Sequence, residues 1–144
     1  MANVERVSPA EARRLMDEEG YLYLDVRSEP EFAAGHPIGA HNVPLLHPGP
    51  RGMEPNRDFL QVVSALYAKD LAIVVGCRAG HRSLRAAEMM MASGFTRVVD
   101  QRAGYDAARD PFGQVVEAGW EPLGLPVEAV TPGGSYRELL EKLR

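Results

Sequence analysis

The strongest constraint in this chain is its longest apolar run, Leu71-Ala-Ile-Val-Val75, held between two polar loops. The run is far too short to span a membrane. It is rich in β-branched residues and has no alternating polar face, so it reads as a strand buried on both sides in the middle of a parallel sheet. Parallel strands need crossover connections, usually helices, and the flanking sequence supplies them. Val4–Val7 reads as a short edge strand. Ser8-Pro9-Ala10-Glu11 is a capping box with proline at the first helical position, opening a helix over Ala10–Glu19 that Gly20 stops. Tyr21–Val26 reads as a strand, and Ser28-Glu-Pro-Glu31 as a second capping box opening a short helix to Ala34. Gly35–Gly39 is expected as a loop, Ala40–Val43 as a short strand, and Leu45–Asn56, with three prolines and two glycines, as irregular chain. Helical spacing continues over Arg57–Ala68 and Ser83–Ser93, with Arg97–Val99 as another strand. Asp106–Ala118 is expected as a helix interrupted around Pro111-Phe-Gly113. Gly119–Glu128 is a loop carrying Trp120 and an edge strand at Leu125–Glu128. Ser135-Tyr-Arg-Glu138 is a third capping box, opening a terminal helix to Leu143. Strand and helix thus alternate about four times, the pattern of an α/β domain with helices on both faces of a parallel sheet. Sites in such sheets lie at the carboxyl ends of the strands.

A chain of 144 residues makes one domain at about 100–200 residues each. A net charge of −4 argues against a nucleic-acid partner, and no stretch reads as membrane-spanning. The opening Met1-Ala-Asn-Val-Glu5 shows no signal-peptide pattern, so a cytoplasmic location is expected. The four histidines and 20 acidic residues show no metal-ligand spacing, so neither metal nor cofactor is expected. There is one cysteine, Cys77, which excludes an intrachain disulfide.

Cys77 stands at the carboxyl end of the apolar run, and Ser83, six residues on, starts a helix. A short loop entering a helix N-terminus turns several backbone N–H groups inward, and the helix dipole adds positive potential. Arg78 and Arg82 bring two full charges. All of these favour thiolate over thiol, and the same array cradles anions. A nucleophilic sulfur inside an anion cradle is a site for covalent catalysis. The bland alternative, a small buried hydrophobe, leaves both arginines and Gly80 beside it without a purpose. Asp25, at the end of its strand, either braces Arg82 or a loop N–H from behind or serves as a cap or surface carboxylate. Arg27 either pairs with Glu31 or contacts substrate. His36 reads as a structural loop histidine, His81 as a solvent-facing side chain that is not needed as a base, and Met89–Met91 and Trp120 as packing residues.

The segment Cys77-Arg-Ala-Gly-His-Arg-Ser83 resembles the active-site loop of rhodanese-type sulfurtransferases. Leu24-Asp-Val-Arg27 with Glu31-Phe32 and Gly35-His36, then Gly39-Ala-His-Asn-Val-Pro44, and Gly104-Tyr105 resemble further signatures of that family, so the likeness runs over about residues 4–128. It implies a five-stranded parallel sheet flanked by helices, with a rhodanese-like domain over residues 1–130. Residues 131–144 would then be a linker and a short amphipathic helix packed on the same domain. The resemblance further implies that Cys77 takes a sulfane sulfur from thiosulfate or another small anionic donor, becoming a persulfide. The persulfide then passes its sulfur to cyanide or a thiol. The loop Arg78, Ala79, Gly80, His81, Arg82 and Ser83 would hold it through backbone N–H groups, and Arg78 would also bind the donor. With no second cysteine, the acceptor must be external. The chain departs from the family at Gly35-His-Pro-Ile-Gly-Ala40, where Ile-Pro is the usual order. It departs again at Ala103-Gly104, where two glycines are usual. The Leu45–Asn56 insert, with His47 and Arg51, is expected at the mouth of the site.

Two other functions compete. Cysteine phosphatases and arsenate reductases place an arginine after five intervening residues, where this chain has Ser83; Arg82 comes one residue too early to wrap a tetrahedral oxyanion. A non-catalytic rhodanese-like binding module remains compatible with the fold, although the intact cysteine and arginines argue against it.

Overall fold

The computed structural model describes residues 3–144. In chain order the strands and helices are β1 (Glu5–Val7), α1 (Pro9–Glu19), β2 (Leu22–Asp25), α2 (Glu29–Ala34), β3 (His36–Pro37), β4 (His41–Asn42), β5 (Leu46–Gly49) and β6 (Gly52–Pro55). There follow α3 (Phe59–Leu66), β7 (Ile73–Gly76), α4 (His81–Ala92), β8 (Val98–Gln101), β9 (Ala107–Arg109), β10 (Val115–Ala118), β11 (Val127–Glu128) and α5 (Tyr136–Lys142). Five strands form one sheet in the order β1-β8-β7-β2-β4, and each neighbouring pair is parallel. The apolar run is its middle strand. Along β7, Ile73 and Val75 enter a core roofed by α3, α4 and α5 with Phe59, Val63, Met90 and Leu139. Val74 enters the opposite core with Ala12, Leu15, Phe32 and Trp120. A strand that feeds two cores has no solvent face, which is why every position in it is apolar.

All three serines cap their helices as expected, but only two of the three expected capping boxes close, the Glu11 carboxylate bonding Arg14 instead. The hydroxyls of Ser8, Ser28 and Ser135 accept the N–H of Glu11, Glu31 and Glu138, and in the last two the glutamate closes the reciprocal bond. In α5, Tyr136 and Leu139 are buried against the α3–α4 core, while Leu143 is exposed. No helix among the described residues is long and apolar enough to cross a membrane.

Four expectations need correction. Leu45–Asn56 is ordered as an antiparallel hairpin, β5–β6, with Gly52 at φ 107° in its turn. A two-stranded ribbon has free edges on both sides, so its prolines block no ladder bond. Asp106–Ala118 is not helical. It forms the hairpin β9–β10, whose turn is made by Asp110 Oδ1 accepting the N–H groups of Phe112 and Gln114, with Gly113 at φ 82°. An Asp-Pro-x-Gly turn followed by two valines favours a hairpin over a helix. The expected Gly35–Gly39 loop contains β3, which pairs with β11. The helix placed at Ser83 starts two residues earlier, at His81, so His81, Arg82 and Ser83 form its first turn.

Candidate active site

At the end of β7 the chain turns sharply through Cys77–Gly80 into α4. Cys77 is 2% exposed. Its Sγ accepts the Gly80 N–H at 3.1 Å and lies 3.3 Å from Ser83 Oγ. Gly80 itself sits at φ 95°, where an added Cβ would run into the Arg102 carbonyl. No other residue fits that corner without strain. Because the cap of α4 is a glycine with no side-chain cap bond, the first-turn N–H groups remain free to meet an anion, and the helix dipole points there.

The loop is clamped from below by the chain leaving β8. Tyr105 N–H donates to the Cys77 carbonyl at 2.7 Å and Asp106 N–H to the Arg78 carbonyl at 3.0 Å. The Gln101 side chain braces that exit, accepting from Ala103 and Gly104 N–H and donating to the Gly104 carbonyl at 2.8 Å. Arg6, from the edge strand β1, bonds both the Gly80 carbonyl (3.1 Å) and Asp100 Oδ2 (2.7 Å). Arg6, Asp100 and Gln101 escaped the sequence analysis. They lie outside the loop motif, and Arg6 stands 74 residues before its loop partner.

The carboxylates pair differently from expectation. Asp25 does not brace Arg82 or a loop N–H. It accepts the Arg27 main-chain N–H at 3.0 Å and the Arg27 guanidinium down to 2.7 Å, and both residues are buried. Arg27 also donates to the Gly35 carbonyl and stacks 4.3 Å from the Tyr105 ring centre. Glu31 is therefore left to Arg82, which grips it with two bonds of 2.7 and 3.0 Å. That grip draws the Arg82 guanidinium towards α2. Arg78 is 66% exposed on its side chain and meets Asp106 only at 3.7 Å. It is the loop arginine most open to a ligand. Ala79 is partly buried, and His81 is exposed on the first turn of α4.

A cavity of about 280 Å³ beside the loop is lined by Arg27, Glu31, Arg78, Tyr105, Asp106 and Glu121. A neighbouring hollow takes Leu46 and Met53 from the β5–β6 hairpin, together with Arg78 and Arg82. The hairpin reaches the mouth through these two apolar residues. His47 instead lies against the Tyr136 ring, with centroids 5.8 Å apart. His36 is fully buried and bridges the Phe32 carbonyl and Thr131 Oγ1 at 2.8 Å each, a structural role. Trp120 is fully buried, its Nε1–H donating to the Pro126 carbonyl. Among the described residues no group of three or more His, Cys, Asp or Glu side chains could hold a metal ion.

Burial pushes the Glu31 carboxyl up, but the Arg82 bonds and those from Ser28 outweigh it and hold the group at about 2, against an ordinary 4.5. A depressed carboxylate stabilises the fold above its unfolded pKa and loses that contribution as pH falls through its folded one. Glu31→Gln is therefore expected to melt below the parent at neutral pH, with the gap closing between about pH 4.5 and 2. Thermal melts of both proteins across that range check this, and a gap independent of pH would contradict it.

Comparison with known proteins agrees with this geometry. The sequence profile of the rhodanese-like domain matches residues 8–110. The chain is 41% identical over 110 residues to thiosulfate sulfurtransferase 16, chloroplastic, of Arabidopsis thaliana, covering 76% of this chain and 82% of that protein. It is 40% identical over 104 residues to the senescence-associated protein DIN1 of Raphanus sativus, covering 72% of this chain but 57% of that longer protein. Among solved structures, one from M. tuberculosis superposes with a TM-score of 0.72 at 25% identity, covering 90% of this chain and all of the other. A rhodanese-related protein from Thermoplasma volcanium superposes with a TM-score of 0.60 at 22% identity, covering 88% and 99%.

Proposed function

The chain belongs to the rhodanese-like domain family, and on that premise we propose that it is a sulfurtransferase working through a persulfide on Cys77. The observation that carries this reading is the setting of Sγ. It is buried in the turn of a loop, bonded by the Gly80 N–H, and faces the uncapped N-terminus of α4. In the proposed reaction the Cys77 thiolate attacks the outer sulfur of a donor such as thiosulfate. The new bond is Sγ–S, the donor's S–S bond breaks, and sulfite leaves with the electron pair. Loop N–H groups stabilise the charge on the bound sulfur as it forms. An external nucleophile, cyanide or a thiol, then takes the outer sulfur and restores the thiolate. Arg78 is the exposed cation that meets the anionic donor.

The geometry disfavours the phosphatase reading. Position 83 carries a serine, and Arg82 is committed to Glu31, so the arginine at the end of the loop is not free to close over a tetrahedral oxyanion. The presence of Cys77 at the loop's centre weighs against a pure binding module.

The test is the intact mass of reduced protein after incubation with thiosulfate and, separately, with a small persulfide. A gain of one sulfur atom, removed by cyanide, supports the reading. No gain from either donor, with Cys77 still free to alkylation, overturns it. Arg78→Ala is expected to raise the KM for an anionic donor by about tenfold, the worth of one exposed charged contact, while sulfur still loads on Cys77. Steady-state kinetics with both donors check this, and an unchanged KM for thiosulfate would remove Arg78 from donor binding.

A further inference from the structure

The loop is also held from the edge of the sheet, by a side chain that the proposed reaction has not used. Side chains alternate along β1. Val7 enters the core with Val74 and Trp120, so Arg6 faces the other side of the sheet, where α4 packs. Arg6 and Asp100 stand level in the parallel pair β1–β8. The buried Asp100 Oδ2 accepts the Arg6 Nε–H at 2.7 Å, which fixes the guanidinium, and Nη2–H donates to the Gly80 carbonyl at 3.1 Å. Both hollows at the mouth are lined by Arg78, whereas Arg6 lines neither. Arg6 therefore reaches the loop from behind.

The carbonyl that Arg6 holds belongs to the peptide joining Gly80 to His81, the first residue of α4. In a trans peptide the C=O and N–H point in opposite directions. A carbonyl held towards Arg6 thus presents the His81 N–H at the open end of α4. Cys77 Sγ lies against that end, bonded by the preceding N–H, that of Gly80, and 3.3 Å from Ser83 Oγ. The peptide plane after a glycine turns more freely than any other, so its orientation gains from a hold outside the loop. A guanidinium at the oxygen also makes the N–H of the same peptide a stronger donor.

We propose that Arg6 is a positioning residue for sulfur transfer, aiming the His81 N–H at the outer sulfur of the Cys77 persulfide. This inference rests on Cys77 being the sulfur carrier. The Gly80 N–H stays with Sγ. The His81 N–H, one residue on, takes the charge that moves to the terminal sulfur when the donor's S–S bond breaks. Asp100 serves by keeping the guanidinium fork in register with the carbonyl. Arg6 and Asp100 are neutral as a pair, so they act by orientation and polarisation rather than by net charge. Neither makes nor breaks a covalent bond.

The test is the loading equilibrium, thiolate and thiosulfate against persulfide and sulfite, read by intact mass over a series of sulfite-to-thiosulfate ratios. Arg6→Lys keeps a cation beside Asp100 but replaces the fork, whose two nitrogens bridge both oxygens, with a single ammonium. Arg6→Met removes the cation as well. Both are expected to lower the ratio at half-loading about tenfold, the worth of one charge-assisted hydrogen bond. A merely structural role would lower the melting temperature and leave this ratio where it was. Melts establish that each variant is folded, and Arg6→Lys decides the matter if Arg6→Met is not. The His81 amide proton resonance is expected to move downfield as the parent loads sulfur, and to move less in Arg6→Lys. An unchanged half-loading ratio in folded Arg6→Lys overturns the positioning role and leaves the sulfur-carrier reading standing. So does a His81 resonance that loading of the parent does not move. A parent that takes up no sulfur, from thiosulfate or from a small persulfide, refutes the carrier reading and this inference with it.

Discussion

Cys77→Ser is expected to fold as the parent does and to transfer no sulfur from any donor, a loss of more than about a thousandfold. The replacement is nearly isosteric. Its hydroxyl still accepts the Gly80 N–H and still faces Ser83, so the loop retains its bonds. What disappears is a polarisable anion that can bond a second sulfur; a serine hydroxyl stays protonated across the working range and forms no persulfide. Thiocyanate production from cyanide, measured beside a melt of the same sample, separates the two effects. Turnover near the parental rate in folded Cys77→Ser would refute covalent catalysis at this position.

The largest stability effect is expected at Asp25. Asp25→Ala removes the carboxylate that takes both the main-chain and side-chain N–H groups of Arg27, whose guanidinium is only 5% exposed. The cation is then left buried with one carbonyl, that of Gly35, and the Tyr105 ring. Breaking a buried pair from one side costs about 3–5 kcal/mol, a large share of the roughly 5–15 kcal/mol that holds a domain folded. Replacing both partners with apolar residues, Asp25→Leu with Arg27→Met, is expected to recover most of that loss, since the pair itself is worth little against a well-packed apolar substitute. Urea unfolding of the single and double variants measures this. A loss below about 1 kcal/mol in Asp25→Ala would mean that Arg27 swings out to water.

What was legible in the sequence was local. The apolar run declared a central strand, three serines declared helix starts, and Cys77-to-Ser83 declared an anion-cradling loop, because each depends on residues a few positions apart. The β9–β10 hairpin was hidden by Ala107-Ala108 and a polar middle that fit helical spacing, and only the Asp110 turn, once closed, excludes the helix. The exchange of partners among Asp25, Arg27, Glu31 and Arg82 was invisible for a different reason. Four charges near one strand end admit several pairings, and the choice is made by where α2 sets Glu31 against α4. Arg6, Asp100 and Gln101 carried no signal at all, since their meaning arises only when β1 docks beside β8.

The polypeptide after β11 closes the sheet as well as covering a core. The strand β4 is an outer strand, and its outward Asn42 N–H is already taken by the Gly134 carbonyl at 2.8 Å. Tyr136 and Leu139 pin that stretch down, with the Tyr136 hydroxyl accepting from Asn56 Nδ2 at 3.2 Å. An edge whose donor is satisfied from within offers no template to a neighbouring molecule. The terminal segment thus works as a guard against intermolecular strand addition, keeping crowded copies of the protein from zipping into one another along that border.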